Sequence, residues 1–229
     1  MGDFKLFKKT KKISLEDIIS KKITMEEVNE VISKSDLNGL KSLIPRDFRQ
    51  AYQIPSYFRR SYIAFMGFSF INYAYIDALS NFLAGKKVLE VMSGNGLLSM
   101  LLKEKGIDII ATDIAPGYEN EYNFKVFNPD IEKLDAIAAI EKYGKDIDFV
   151  IMSWPPYNDP IASEVMKKIK KTNDNIEVIY IGEGPDGCTA DQTFFDMIDI
   201  VYSEPFQEVQ HTYSNWSMIH DLPFIVTNK

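Results

Sequence analysis

The distribution of apolar and polar positions changes near Lys87. Before it the apolar residues follow helical spacing. Thr24-Met25-Glu26-Glu27 is a capping-box pattern, in which Thr24 takes the orphan amide of Glu27 and Glu27 reaches back to Thr24; Val28, Val31 and Ile32 then share one face. Pro45 and Pro55 interrupt the next stretch. Tyr57 to Leu83 is dense in aromatics, with Tyr62, Phe65, Phe68, Phe70, Tyr73, Tyr75 and Phe82, so more than one face needs covering. The pattern predicts a helical extension or lid over 13–85, covered by the domain that follows at 86–229.

After Lys87, short apolar runs alternate with helical segments. Val88–Val91, Ile109–Thr112, Phe149–Met152 and Val178–Ile181 are short enough for strands and too continuous for strands with one wet face. Helices are predicted over Leu97–Lys105, stopped by Gly106, over Ala136–Lys142 and over Ile161–Lys171. Strand alternating with helix predicts a doubly wound α/β domain with a mostly parallel sheet. Two last strand-like segments, Phe206–Gln210 and Pro223–Thr227, lack a clear helix between them and predict an antiparallel hairpin at one edge of the sheet.

Composition narrows the classes. A chain of 229 residues, 45% hydrophobic and 26% charged, can bury one sizeable core and carry an extension. The single cysteine, Cys188, excludes an intramolecular disulfide framework and a Cys-rich zinc site, and two distant histidines with scattered acids make no metal-ligand set. A reducing, cytoplasmic address is expected. No apolar run approaches the roughly 18–20 residues that span a bilayer. The net charge of −7 disfavours duplex DNA as a partner, since phosphate neutralisation needs a basic surface. A local exception is the start of the chain, where Lys5, Lys8, Lys9, Lys11 and Lys12 are interleaved with Phe4, Leu6 and Phe7. Residues 1–12 read as a solvated flexible tail or as a weak anchor for nucleic acid, a membrane surface or an acidic protein.

In a doubly wound sheet the ligand sits beyond the carboxyl ends of the strands. The first strand is followed by "LEVMSGNGLLSM": Glu90 at its end, then Gly94 and Gly96, then a helix. Glycines let backbone amides approach a ligand, and a helix N-terminus favours a negative group. The second strand ends in Asp113, whose carboxylate can accept both hydroxyls of a ribose. Glycine loop plus acid points to a ligand that contains a nucleoside.

"VLEVMSGNG", "ATD" and a strand ending in "PPY" together resemble the class I S-adenosylmethionine-dependent methyltransferases, over roughly Gly67 to the last residue. The resemblance implies a seven-stranded Rossmann-like sheet with S-adenosylmethionine as cofactor. It implies that Glu90, Gly94 and Gly96 surround the methionine part and that Asp113 holds the ribose. Asp135 and the amide of Ala136 would meet the adenine, with Asp130 of Asn128-Pro129-Asp130 as the rival, and Ser153 is placed with the cofactor residues. One position departs from the family: Met92 stands where a glycine is common, and the loop must be rebuilt if that position needs an unusual backbone angle.

The corner "SWPPYND", Ser153–Asp159, resembles the subset that methylates amino groups. A conjugated amino nitrogen is a poor nucleophile until acceptors hold its N–H groups and turn its lone pair toward the methyl. The family supplies them with an Asp, Asn or Ser before two prolines and with the first proline's carbonyl, while the aromatic stacks on the substrate. Here Pro155, Pro156 and Tyr157 fit. Trp154 does not, because an indole donates one hydrogen bond and accepts none. Ser153, one position earlier, would reach the site only through a local kink.

Three readings remain. The chain methylates a nitrogen with the Pro155 carbonyl and another acceptor such as Asn158 or Asp159; or it methylates a different nucleophile, with Trp154 shaping an aromatic pocket around a ring or cation; or it binds the cofactor without transfer, as an interaction module. Trp154, Pro155 and Tyr157 are the catalytic candidates, with Pro156, Asn158 and Glu183 for substrate. Glu183 lies in the glycine-rich loop "IGEGPDGCTADQ", where Thr189 or Asp191 would cap the next helix. Cys188 reads as a packed residue or an activated thiol. His220 beside Asp221 is a weak candidate for an oriented base, since neighbours in a strand face opposite ways.

Overall fold

The computed structural model describes residues 66–116 and 126–229, together with 26, 27, 30, 37–41, 43–47, 59, 62 and 63. The lysine-rich segment, Thr24 and the apolar face after it, Tyr57 and Phe65 lie outside the described residues.

Seven strands form one sheet in the order β3-β2-β1-β4-β5-β7-β6. Strands β1 (Lys87–Val91), β2 (Asp108–Asp113), β3 (Glu132–Lys133), β4 (Phe149–Ser153) and β5 (Glu177–Gly182) run parallel. β7 (Leu222–Asn228) lies antiparallel to β5, and β6 (Ile198–Val201) antiparallel to β7 at the edge. This is the seven-stranded Rossmann-like sheet that the resemblance implies, mostly parallel with a C-terminal antiparallel hairpin. Strand order reverses between β1 and β4, which opens a crevice at their carboxyl ends.

The alternation of side chains along each strand feeds two apolar layers. Val88, Ile109, Ile151 and Ile179 point to one face, covered by α2 (Tyr73–Phe82), α3 (Leu97–Glu104) and α7 (Gln207–Thr212). Leu89, Val150, Met152 and Val178 point to the other, covered by α4 (Ala136–Tyr143), α5 (Ile161–Thr172) and α6 (Gln192–Met197). Each large side chain buried this way contributes about 1.5–3 kcal/mol. The short α1 (Leu37–Lys41) joins the first layer through Leu40. The helix starts follow from side-chain caps: Asn72 accepts from the Tyr75 amide at 2.8 Å, Asp135 from Ala138 at 2.9 Å and Asp191 from Phe194 at 3.1 Å.

The C-terminal hairpin uses a different first strand from the one expected. Phe206–Gln210 is helical: Pro205 opens a 3₁₀ turn over Glu204–Phe206 that runs into α7, and Phe206 and Val209, three residues apart, bury together. The actual partner of β7 is β6, upstream, where Asp199 and Ile200 are both exposed and the alternation is lost. β3 has only a Glu and a Lys and carries no apolar signal.

Candidate functional site

A cleft of about 320 Å³ opens at the carboxyl ends of β1, β2 and β4. Glu90, Gly94, Asp113, Asp135, Ala136, Ser153, Trp154 and Pro156, all singled out from the sequence, line it. Gly96, Pro155, Tyr157, Asn158 and Glu183 do not. Residues 66–69 supply another part of the wall.

At the β1 end, the Gly94 amide donates to Asp113 Oδ2 at 2.8 Å, and the Ala115 amide donates to Oδ1 at 2.8 Å. Asp113 is thereby fixed beneath the glycine loop with further lone pairs in hand. Gly94 has a φ of 58°, and a Cβ there would meet nothing within 4 Å, so its backbone faces open space. Gly96 is a glycine for another reason. Its Cβ would come within 2.7 Å of both Asn128 Cβ and Ile131 Cδ1, so the missing side chain admits a neighbouring segment of the protein. The expectation that it lets an amide approach the ligand is corrected accordingly.

Glu90 is 2% exposed, and its Oε2 has no hydrogen-bond partner although it borders the cleft. Burial pushes its carboxyl up to about 8; bonds from the Ser99 hydroxyl and amide oppose the rise and the nearby Asp113 adds to it. Met92 adopts the left-handed conformation, φ 55°, that a glycine would take there without strain. The cost is roughly 1 kcal/mol or more. Its partly buried side chain packs on the second apolar layer in return.

At the β4 end, Trp154 is also left-handed, φ 54°. That is the kink the sequence required for Ser153 to reach the site, and both residues line the cleft. Ser153 Oγ lies 2.8 Å from Ser69 Oγ. The Trp154 amide donates to the Ile181 carbonyl at 2.8 Å, its indole N–H donates to Asp221 Oδ2 at 2.9 Å, and its ring stacks on Phe68 with centroids 5.5 Å apart and planes at 17°. The Tyr213 hydroxyl donates to the same Asp221 oxygen. Asp221 is fully buried, with Oδ1 unpartnered. Burial pushes its carboxyl up to about 6, beyond what the two donors restore.

Of the rest of the proline corner, Pro156 and Asp159 border the cleft, whereas Pro155, Tyr157 and Asn158 do not. The Pro155 carbonyl, expected to orient an acceptor, takes the Ala190 amide at 3.2 Å. Asn158 is left-handed and donates its amide to the Ala190 carbonyl at 2.9 Å, closing the corner onto the β5 loop. Tyr157 is 59% exposed. Asp159 does line the cleft, with Oδ1 taking the Ile161 amide at the start of α5.

Glu183 is a loop clamp. Its carboxylate takes the Cys188 amide and thiol, each at 2.9 Å, and the His220 amide at 3.0 Å. Burial opposes ionisation, but these donors outweigh it and hold the carboxyl below its usual range. The Cys188 thiol moves the other way, up to about 11, through burial and the adjacent Glu183, which is the reverse of an activated nucleophile. His220 is exposed while Asp221 is buried, so the two do not form an oriented base.

Sequence reasoning missed Ser69, Tyr213 and the role of Asp221. One signal was present: a Trp N–H brought to a strand end needs an acceptor, and its own motif offers none.

No family model and no curated protein matches this sequence. Solved structures similar in chain path include a mutant of MtNAS in complex with S-adenosylmethionine, 13% identical, covering 93% of this chain and 96% of that one at a TM-score of 0.43. A SAM-dependent methyltransferase from Archaeoglobus fulgidus is 16% identical, covering 68% and 92% at 0.39. TehB from Haemophilus influenzae is 14% identical, covering 76% and 66% at 0.40. The fold assignment rests on the strand order and pairing described above.

Proposed function

We propose that this chain binds S-adenosylmethionine in the cleft and transfers its methyl group to an acceptor held at the β4 end. The observation that carries the reading is the buried Oε2 of Glu90, without a hydrogen-bond partner, beside the glycine loop and the Asp113 carboxylate, at the point where strand order reverses. These residues fit the cofactor: an open backbone edge, an acid positioned for ribose hydroxyls, and an orphan polar atom awaiting a donor. Glu90 would take the amino group of the methionine part, Asp113 the ribose, and Asp135 with Ala136 the adenine side. Residues 13–85 act as the lid of domain 86–229, a role supported by the wall formed at 66–69. The chain works in the cytoplasm.

When bound, the cofactor supplies an electrophilic methyl on a sulfonium, and transfer is a displacement in which the acceptor's lone pair forms the new bond as the carbon–sulfur pair goes to sulfur. The protein's contribution is positioning and a dry, polarised wall. For a nitrogen acceptor, Asp159 is the carboxylate of the corner that borders the cleft, whereas the Pro155 carbonyl is already engaged. Nitrogen transfer therefore runs through Asp159, with Trp154 packing on the acceptor and donating it no bond.

Titration calorimetry with S-adenosylmethionine and S-adenosylhomocysteine tests the reading. Both are expected to bind, and Asp113→Ala is expected to weaken binding by about tenfold or more, the scale of a lost charged hydrogen bond. Absence of binding at millimolar ligand sinks it. Tritiated methyl uptake over small-molecule, protein and nucleic-acid pools then identifies the acceptor; binding without uptake into any pool would favour the noncatalytic module.

A further inference from the structure

The protein invests unusually in one ring. Trp154 is bulky and left-handed, a conformation that persists only where the surroundings over-determine it. Three contacts do so: the amide bond to Ile181, the stack on Phe68 and the indole bond to Asp221. Asp221 is fully buried, and its Oδ2 takes both the indole N–H and the Tyr213 hydroxyl. A carboxylate on the indole N–H does more than orient it. It pushes electron density into the ring and deepens the negative potential over its face, the property that attracts cations. The surroundings have the matching sign. Asp113, Asp135 and Asp159 line the cleft, and among the described residues no Lys, Arg or His does. An anionic acceptor would meet repulsion there with no compensating donor.

We propose that the wall formed by Phe68 and Trp154, with Asp159 at the same cleft, is the acceptor subsite and binds an alkylamine as its ammonium, which gives up a proton to the Asp159 carboxylate or to water before the freed nitrogen lone pair takes the methyl, and that Asp221 is the residue that positions and polarises the indole for it. This deepens the methyltransferase reading and rests on it for the word acceptor. The binding of a cation to the wall stands independently.

The chain has two tryptophans, Trp154 and Trp216, so its proton–nitrogen NMR spectrum has two indole signals. Trp216 is buried and does not line the cleft, which makes it an internal reference. Tetramethylammonium chloride is titrated into the free protein and into protein saturated with S-adenosylhomocysteine, with sodium chloride and the neutral analogue tert-butanol as controls. The Trp154 signal is expected to move saturably with tetramethylammonium while Trp216 changes less. A still Trp154 signal, or an equal response to tert-butanol, overturns the proposal. Asp221→Asn is expected to weaken the cation by about threefold or more, the scale of a cation–π contact; the Trp216 signal reports whether that variant is folded. Asp159→Asn, at an exposed position, is expected to weaken it by about twofold. Unchanged affinity in both variants also overturns it. Failure of S-adenosylhomocysteine to bind would strike the methyltransferase reading alone, because the titration of free protein still reads the wall.

Discussion

The β1 loop and the β4 corner stand side by side across the switch point, and each places a large residue in the left-handed region: Met92 at φ 55° and Trp154 at φ 54°. The same backbone strain serves opposite ends. Around Met92 acceptors are kept in reserve: Glu90 Oε2 is unpartnered, and the Asp113 carboxylate, though it takes the Gly94 and Ala115 amides, keeps further lone pairs at the cleft. Around Trp154 the polar groups are already engaged. Its amide, its indole N–H and the Pro155 carbonyl all have protein partners, and what remains for a ligand is ring surface and the Asp159 carboxylate. The contrast separates a hydrogen-bonding end, suited to a polar cofactor, from an aromatic end, suited to an acceptor recognised by shape and charge.

Glycine substitution at the two strained positions breaks that comparison most sharply. Trp154→Gly relieves the left-handed strain but forfeits the Phe68 stack and leaves Asp221 short of a donor, so a loss of about 2–4 kcal/mol in unfolding free energy is expected. Met92→Gly relieves similar strain and forfeits one partly buried side chain, so its effect is expected within about 1 kcal/mol. Equal losses would mean that Trp154 is held no more firmly than Met92.

The next effect is a pH dependence. Glu90 carries a folded-state value raised to about 8 from the ordinary 4.5, so its contribution to stability is complete below about 4.5 and is lost as pH rises toward 8. Glu90→Gln is expected to gain on the wild type by about 2–3 kcal/mol between pH 5 and pH 8.5, after allowing for relaxation around the buried charge. Thermal unfolding of both proteins over that range reads the difference; parallel curves would mean that Glu90 ionises without cost. Asp221, raised to about 6, contributes to the decline of both proteins and cancels in the comparison.

The two loop glycines give the smallest and most local contrast. Gly96→Ala drives a Cβ into Asn128 and Ile131 and is expected to cost about 2 kcal/mol of stability. Gly94→Ala meets open space, so its stability cost is the left-handed strain, about 1 kcal/mol, and its main effect is expected on S-adenosylmethionine affinity. A reversal of the two phenotypes would exchange the roles given to these residues.

The β1 end was legible in the sequence because its logic is local: a buried strand, an acid, glycines and a helix in immediate succession, with Asp113 ending the next strand. Four of the parallel strands and the three helices between them were readable for the same reason, each being an apolar run with a clear stop. The β4 corner was only half legible. Its kink at Trp154 follows from the requirement to bring Ser153 to the site, but the partners that define it, Ser69, Tyr213 and Asp221, come from segments 84, 59 and 67 residues away. No local pattern reports such pairings. Glu183 misled for a related reason: its place after β5 suits a ligand contact, while its donors are Cys188, reached by the turn of its own loop, and His220, from a segment 37 residues away that only the fold brings near. The sixth strand was misplaced because an exposed edge loses the alternation that marks strands, and the turn at Pro205 converts an apolar segment into a helix.

The division of the cleft is tested most directly by the crystal structure of the S-adenosylhomocysteine complex. The account predicts density with the ribose hydroxyls on Asp113, the amino group on Glu90 Oε2, and the sulfur facing an open space walled by Phe68 and Trp154. Density that runs the other way, with the nucleoside against Trp154 and the Asp113 carboxylate still bonded only to Gly94 and Ala115, would contradict it.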